Sequence, residues 1–192
     1  MHYFLSRGGA DLNFTRCGQH DPLPKCLERT PENRYWRASI GAEMKYDDAS
    51  WHYNGNFPSD LPQAAGATHI GMFLAWMLLN KLASEELLDD AESEVNALEK
   101  RELTGSAFVI SMLDEKLTDQ EFNAIGNAFA IAYYEGLNND SRYVDDYVLA
   151  FGVTQDAIYS VEDTWANYDK LSPVIDARFA EWQAMGKPEY IV

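Results

Sequence analysis

Between residues 45 and 69 the chain reads KYDDASWHYNGNFPSDLPQAAGATH, which places Asp47, Asp48, His52, Asp60 and His69 in one short span. Carboxylates and imidazoles are the side chains that ligate divalent metals and move protons near neutral pH. Asp47, Asp48, Trp51, His52 and His69 therefore form the candidate pocket. Their spacing matches neither H-E-x-x-H nor an EF-hand loop, which set their ligands on one surface, so the pattern assigns no metal and no cofactor.

The same stretch has a structural reading. Asp47 or Asp48 can accept backbone amides in an Asx-type turn, and Asn54-Gly55 suits a tight turn that needs positive φ. Trp51, Tyr53 and Phe57 would anchor such a loop on the core, with His69 capping the following helix or bonding a loop carbonyl.

Other chemistry is less well represented. No G-x-S-x-G elbow, P-loop or strand-linked G-x-G-x-x-G occurs, so serine-nucleophile, ATP and NAD chemistry are unsupported. Cys17, His20 and Cys26 supply at most three of the four ligands of a structural zinc site, and reduced thiols are the expectation. A second candidate site is Tyr143, Asp145, Asp146 and Tyr147, where aromatics interleave with acids as in a hot spot that receives Lys or Arg from a partner.

The elements that must position these residues are mostly helical. Residues 68–82 are apolar on all sides, which predicts a buried central helix. Its ten-residue apolar run, 70–79, is well short of the roughly 18–20 residues a membrane helix needs. Ser84 can cap a helix that runs to Lys100 and Arg101, and residues 107–113 favour a short helix over a strand. Thr118 and Glu121 form a capping box ahead of the stripe Phe122, Ile125, Phe129 and Tyr133, which Gly136 ends. Tyr143, Tyr147 and Phe151 mark a further helix, Ser160 with Asp163 caps another, and Ser172-Pro173 starts the last. Residues 34–45 could form a strand or lead into the core, and residues 1–33, broken by glycine and proline, read as an irregular appendage to an acidic helical domain over 34–192. The fold class is mainly α: a compact globule of about six helices around the buried one, with at most a small β element near its N-terminal part.

The net charge is −16. Residues 1–45 hold seven Lys/Arg against five Asp/Glu, hence +2, whereas residues 46–192 hold eight against twenty-six, hence −18. Such a body repels phosphate backbones and anionic membranes, and attracts cations or basic protein surfaces. No basic stretch followed by an apolar one opens the chain, so a cytoplasmic location is expected.

Four motifs, KYDDASWHYNGNFPSDLP, GATHIGMFLAWMLLN, GNAFAIAYYEG and YSVEDTWANYDKLSPVIDARFAEW, together resemble a bacterial family known only as a domain of unknown function. The resemblance covers residues 45–185 and implies a bacterial origin and a single compact domain. It implies no reaction and no catalytic residue.

Two functions follow as expectations. The first is a cytoplasmic immunity protein, not an enzyme, whose acidic face blocks the basic cleft of a toxin and which binds no nucleic acid or membrane itself. The second is a small metal-dependent enzyme or ligand-binding domain with its pocket where the 45–62 loop meets the His69 helix.

Overall fold

The computed structural model describes residues 44–53 and 57–191. The expected appendage at 1–33, both cysteines and the Asn54-Gly55 turn lie outside the described residues.

Strand β1 (Lys45–Asp48) pairs antiparallel with β2 (Lys116–Thr118), with Asp47 opposite Leu117 and a bulge between Lys45 and Asp47. Strand side chains normally alternate between faces, and a bulge breaks that alternation. Tyr46, Asp47 and Asp48 are accordingly all buried. Asp48 then accepts the Ser50 amide at 3.0 Å and caps the 3₁₀ turn Ala49–Trp51, the Asx geometry expected of this stretch. That turn delivers His52 to the interior side of the loop.

Helix α1 (Thr68–Leu79) is buried from Thr68 to Leu78, as its all-round apolar sequence requires. It packs backbone to backbone against α4 (Gly105–Met112). A Cβ on Gly105 would lie 1.9 Å from the Gly71 carbonyl oxygen, so only glycine allows this approach.

The helix expected after Ser84 is divided. Ser84 Oγ accepts the Leu87 amide at 3.1 Å and opens α2 (Glu85–Asp90), and α3 (Glu92–Glu99) follows a non-helical Ala91. Leu87, Ala91, Val95 and Leu98 nevertheless all lie in the core.

The Thr118/Glu121 box is present, but it caps only the 3₁₀ turn Asp119–Glu121. Asn123 caps α5 (Ala124–Phe129), accepting the amides of Ile125 at 3.1 Å and Gly126 at 3.0 Å. From Ala130 to Glu135 the helix widens to a π-helical turn, which Gly136 ends at φ 69°. The widening disturbs the helical ladder, and the Ala132 carbonyl accepts from the Ile191 amide at 3.0 Å.

Ser141 caps α6 (Arg142–Phe151), which Gly152 stops in the left-handed region. A 3₁₀ turn, Gln155–Ser160, leads to α7 (Trp165–Ala184), capped by Thr164. Sequence patterning predicts two helices here with Pro173 at the start of the second, whereas Pro173 lies inside one helix. Proline removes the hydrogen bond to the carbonyl four residues back, that of Asp169. Both residues lie on the exposed side, which leaves the freed acceptor open to solvent.

Around α1 the core is dense in rings, with Phe73, Trp76, Phe129, Tyr133, Tyr143 and Trp182 buried. Among the described residues no helix is long and apolar enough to cross a membrane.

Candidate functional site

Asp47 is the centre of a buried polar cluster assembled from five parts of the chain. Its Oδ1 accepts the Asp48 amide at 2.8 Å and faces His52 Nε2 at 2.9 Å. Its Oδ2 accepts the Tyr134 hydroxyl at 2.6 Å and lies 3.3 Å from His69 Nε2. Burial alone would raise its pKa, but the hydrogen bonds and charges of His52 and His69 outweigh that and hold the carboxyl well below the usual carboxylate range.

Each partner is delivered by a local feature. The bulged strand turns Asp47 inward, the Asp48-capped turn presents His52, and His69 stands in the first turn of α1. The π-helical turn sets two adjacent tyrosines to different tasks: Tyr134 reaches Asp47, and Tyr133 reaches Asp146 at 2.9 Å. π-helical turns occur often at functional sites because they re-aim side chains within a helix.

The imidazoles stand edge to face, their centroids 4.8 Å apart. His52 Nδ1 lies 2.9 Å from the hydroxyl of Tyr159 on the Gln155–Ser160 turn. Burial and the neighbouring Asp47 push the Tyr159 phenol up, which keeps it protonated at neutral pH. His69 is buried; the Tyr143 hydroxyl bonds its backbone carbonyl at 2.6 Å, while its own Nδ1 has no hydrogen-bond partner among the described residues. Among the described residues His69 thus neither caps α1 nor bonds a loop carbonyl.

Of the sequence candidates, Asp47, His52 and His69 come together and the others do not. Asp48 is turned to Lys45, 2.7 Å away, and to Ser50. Trp51 is 50% exposed with the Lys45 ammonium 5.3 Å over its ring, so it does not anchor the loop on the core. Asp60 is exposed on a turn away from the cluster. Tyr134 and Tyr159 were missed: neither lies near the Asp-His stretch in sequence, and nothing in their local patterns distinguishes them from core tyrosines.

The second candidate does not form a surface patch. Tyr143 and Tyr147 are 0% exposed and Asp146 is buried, leaving only Asp145 outside. The four-residue spacing of the aromatics put them on one helical face, and that face turns inward. Asp146 is instead held by Arg178 through Nε at 2.8 Å and Nη2 at 3.1 Å.

One ligand atom each from Asp47, His52 and His69 lies within 4.8 Å of the others. Tetrahedral bonds of about 2.0–2.1 Å separate neighbouring ligand atoms by about 3.3–3.4 Å, so only small side-chain shifts would admit an ion. Two imidazole nitrogens and one carboxylate oxygen suit zinc and neighbouring first-row metals, and three protein ligands leave a coordination position open.

Fold and site together define a mainly α-helical domain with a two-stranded sheet, organised around a buried Asp-His-His-Tyr centre. The chain belongs to the family described as a domain of unknown function, DUF7832, which matches residues 45–161. The match ends before α7, short of the expected limit at residue 185, yet Asp47, His52, His69, Tyr134 and Tyr159 all lie within it. No curated protein and no solved structure matches the chain.

Proposed function

We propose that this domain is a metal-dependent enzyme or ligand-binding domain that holds a divalent transition-metal ion at Asp47, His52 and His69. The observation that carries this reading is the convergence of the three ligand atoms within 4.8 Å in a largely buried setting. A three-ligand site with an open position is the arrangement of catalytic rather than structural zinc, and such an ion polarises a bound water or substrate oxygen. His52 is the most exposed of the three, so its side is where water or substrate would approach.

Metal analysis of the purified full chain tests the reading, together with zinc titration of the metal-free protein. One equivalent bound by the wild type, and loss of that binding in His52→Ala and His69→Ala, is the expected outcome. If no zinc, cobalt or manganese binds at micromolar concentration and both variants lose only thermal stability, the cluster is structural.

The charge distribution favours a second reading, a bacterial cytoplasmic immunity protein. The −18 carried by residues 46–192 would steer a basic toxin domain onto the surface and raise the on-rate. With Tyr143 and Tyr147 inside, exposed side chains such as Trp51 would have to supply the anchors. Co-purification with the product of the neighbouring gene at low salt tests it, and absence of a complex at micromolar concentration rejects it.

A further inference from the structure

We propose that Tyr159 is a positioning residue that prepares His52, rather than His69, as the stronger ligand of the metal site; this rests on the metal reading above. An imidazole ligates through a ring nitrogen without hydrogen, and its other nitrogen then carries the proton and needs an acceptor. His52 turns Nε2 toward Asp47, and its Nδ1 lies 2.9 Å from the Tyr159 oxygen. A phenol hydroxyl can donate through its hydrogen or accept at its oxygen.

That versatility lets the same contact serve both states. With its ring proton on Nε2, His52 donates to Asp47 and the Tyr159 hydroxyl donates to Nδ1. Were an ion to take Nε2, that proton would leave to water, and Nδ1 would take one from water and donate it to the Tyr159 oxygen. Each ring nitrogen of His52 keeps a partner with the proton on either side.

His69 has no such provision. Its Nδ1 is buried with no hydrogen-bond partner among the described residues, so ligation through Nε2 would leave an N–H that none of them bonds. The two histidines are therefore unequal ligands, and the turn Gln155–Ser160 becomes part of the site through one hydroxyl. Tyr159 also packs its ring against His52 and Phe57, with centroids 5.5 Å and 5.1 Å away, so removing only the oxygen leaves the packing in place.

The test is zinc affinity of the full chain, measured by competition with a chromophoric chelator, with circular dichroism of the metal-free variants as the folding check. Tyr159→Phe is expected to weaken zinc binding about 10- to 100-fold, as loss of an outer-sphere partner does. Tyr159→Gln, which returns an acceptor oxygen, is expected to recover part of the loss. In ¹⁵N-resolved NMR of the wild type, zinc is expected to move the His52 proton from Nε2 to Nδ1. Affinity of Tyr159→Phe within about twofold of wild type overturns the role of Tyr159 and leaves the metal reading standing. A His52 proton that stays on Nε2 in the zinc-bound wild type overturns it equally, whatever the variants do. Absence of zinc binding by the wild type overturns both.

Discussion

Two buried aspartates, Asp47 and Asp146, are each held by one of two adjacent tyrosines, yet they end in different chemical company. Asp146 accepts from Tyr133 and from two nitrogens of the Arg178 guanidinium, a cation that does not deprotonate under physiological conditions. Asp47 accepts from Tyr134 and faces two imidazoles, each of which can lose, gain or relocate a proton. The first arrangement is a permanent ion pair that ties α6 to α7. On the metal reading, the second would exchange ring protons for a metal ion. Burial alone therefore does not separate a structural carboxylate from a functional one; the chemistry of its partners does.

The largest expected effect breaks the permanent pair. Arg178→Met leaves Asp146 buried without its cation and should lower unfolding free energy in urea by about 3–5 kcal/mol. Saturating zinc is the next. At a hundredfold excess over Kd it should stabilise the wild type by about 2.7 kcal/mol and Arg178→Met equally, while leaving His52→Ala and His69→Ala unchanged in thermal melts. A smaller loss, about 1–3 kcal/mol in urea, is expected for Asp47→Asn, which keeps the volume and one acceptor oxygen. Equal losses in Asp47→Asn and Arg178→Met would erase the distinction between the two sites.

Removing one hydroxyl from each site sharpens the comparison further. Tyr133→Phe and Tyr134→Phe each delete a hydrogen bond to a carboxylate and should each lose about 1.5 kcal/mol. Only Tyr134→Phe should also weaken zinc binding, as read by chelator competition. The pH dependence is the finest probe. The Asp47 carboxyl is held below its ordinary value of 3.8 in the folded protein, so its stabilisation is fully present above that pH and is lost as pH falls below it. The stability gap between wild type and Asp47→Asn should therefore narrow in urea titrations below about pH 4. Asp163, pushed up by burial, runs the other way: its charged form disfavours folding at neutral pH, and that penalty is relieved as pH falls through the raised value. Asp163→Asn should accordingly help most at neutral pH.

What could be read in the sequence was what local physics encodes. The buried helix α1 follows from an apolar run with no polar face, and Ser84 caps α2 as its side chain allows. Gly136 and Gly152 end helical segments because they tolerate positive φ. The caps that misled did so for local reasons too: Thr118 makes its box over a single 3₁₀ turn, and Pro173 is tolerated mid-helix because its side faces water. Neither the hydrophobic pattern nor the capping code contains that information.

The sequence by itself determined the helical class, the central helix, the acidic body and the span in which Asp47, His52 and His69 occur, because periodicity, capping and charge are properties of neighbouring residues. Only the tertiary structure decided which of those residues meet. Tyr134 joins Asp47 from 87 residues away and Tyr159 joins His52 from 107, contacts that no local pattern specifies. The same folding turned Tyr143 and Tyr147 inward, since an aromatic stripe on a helix looks alike in sequence whether a core or a partner covers it.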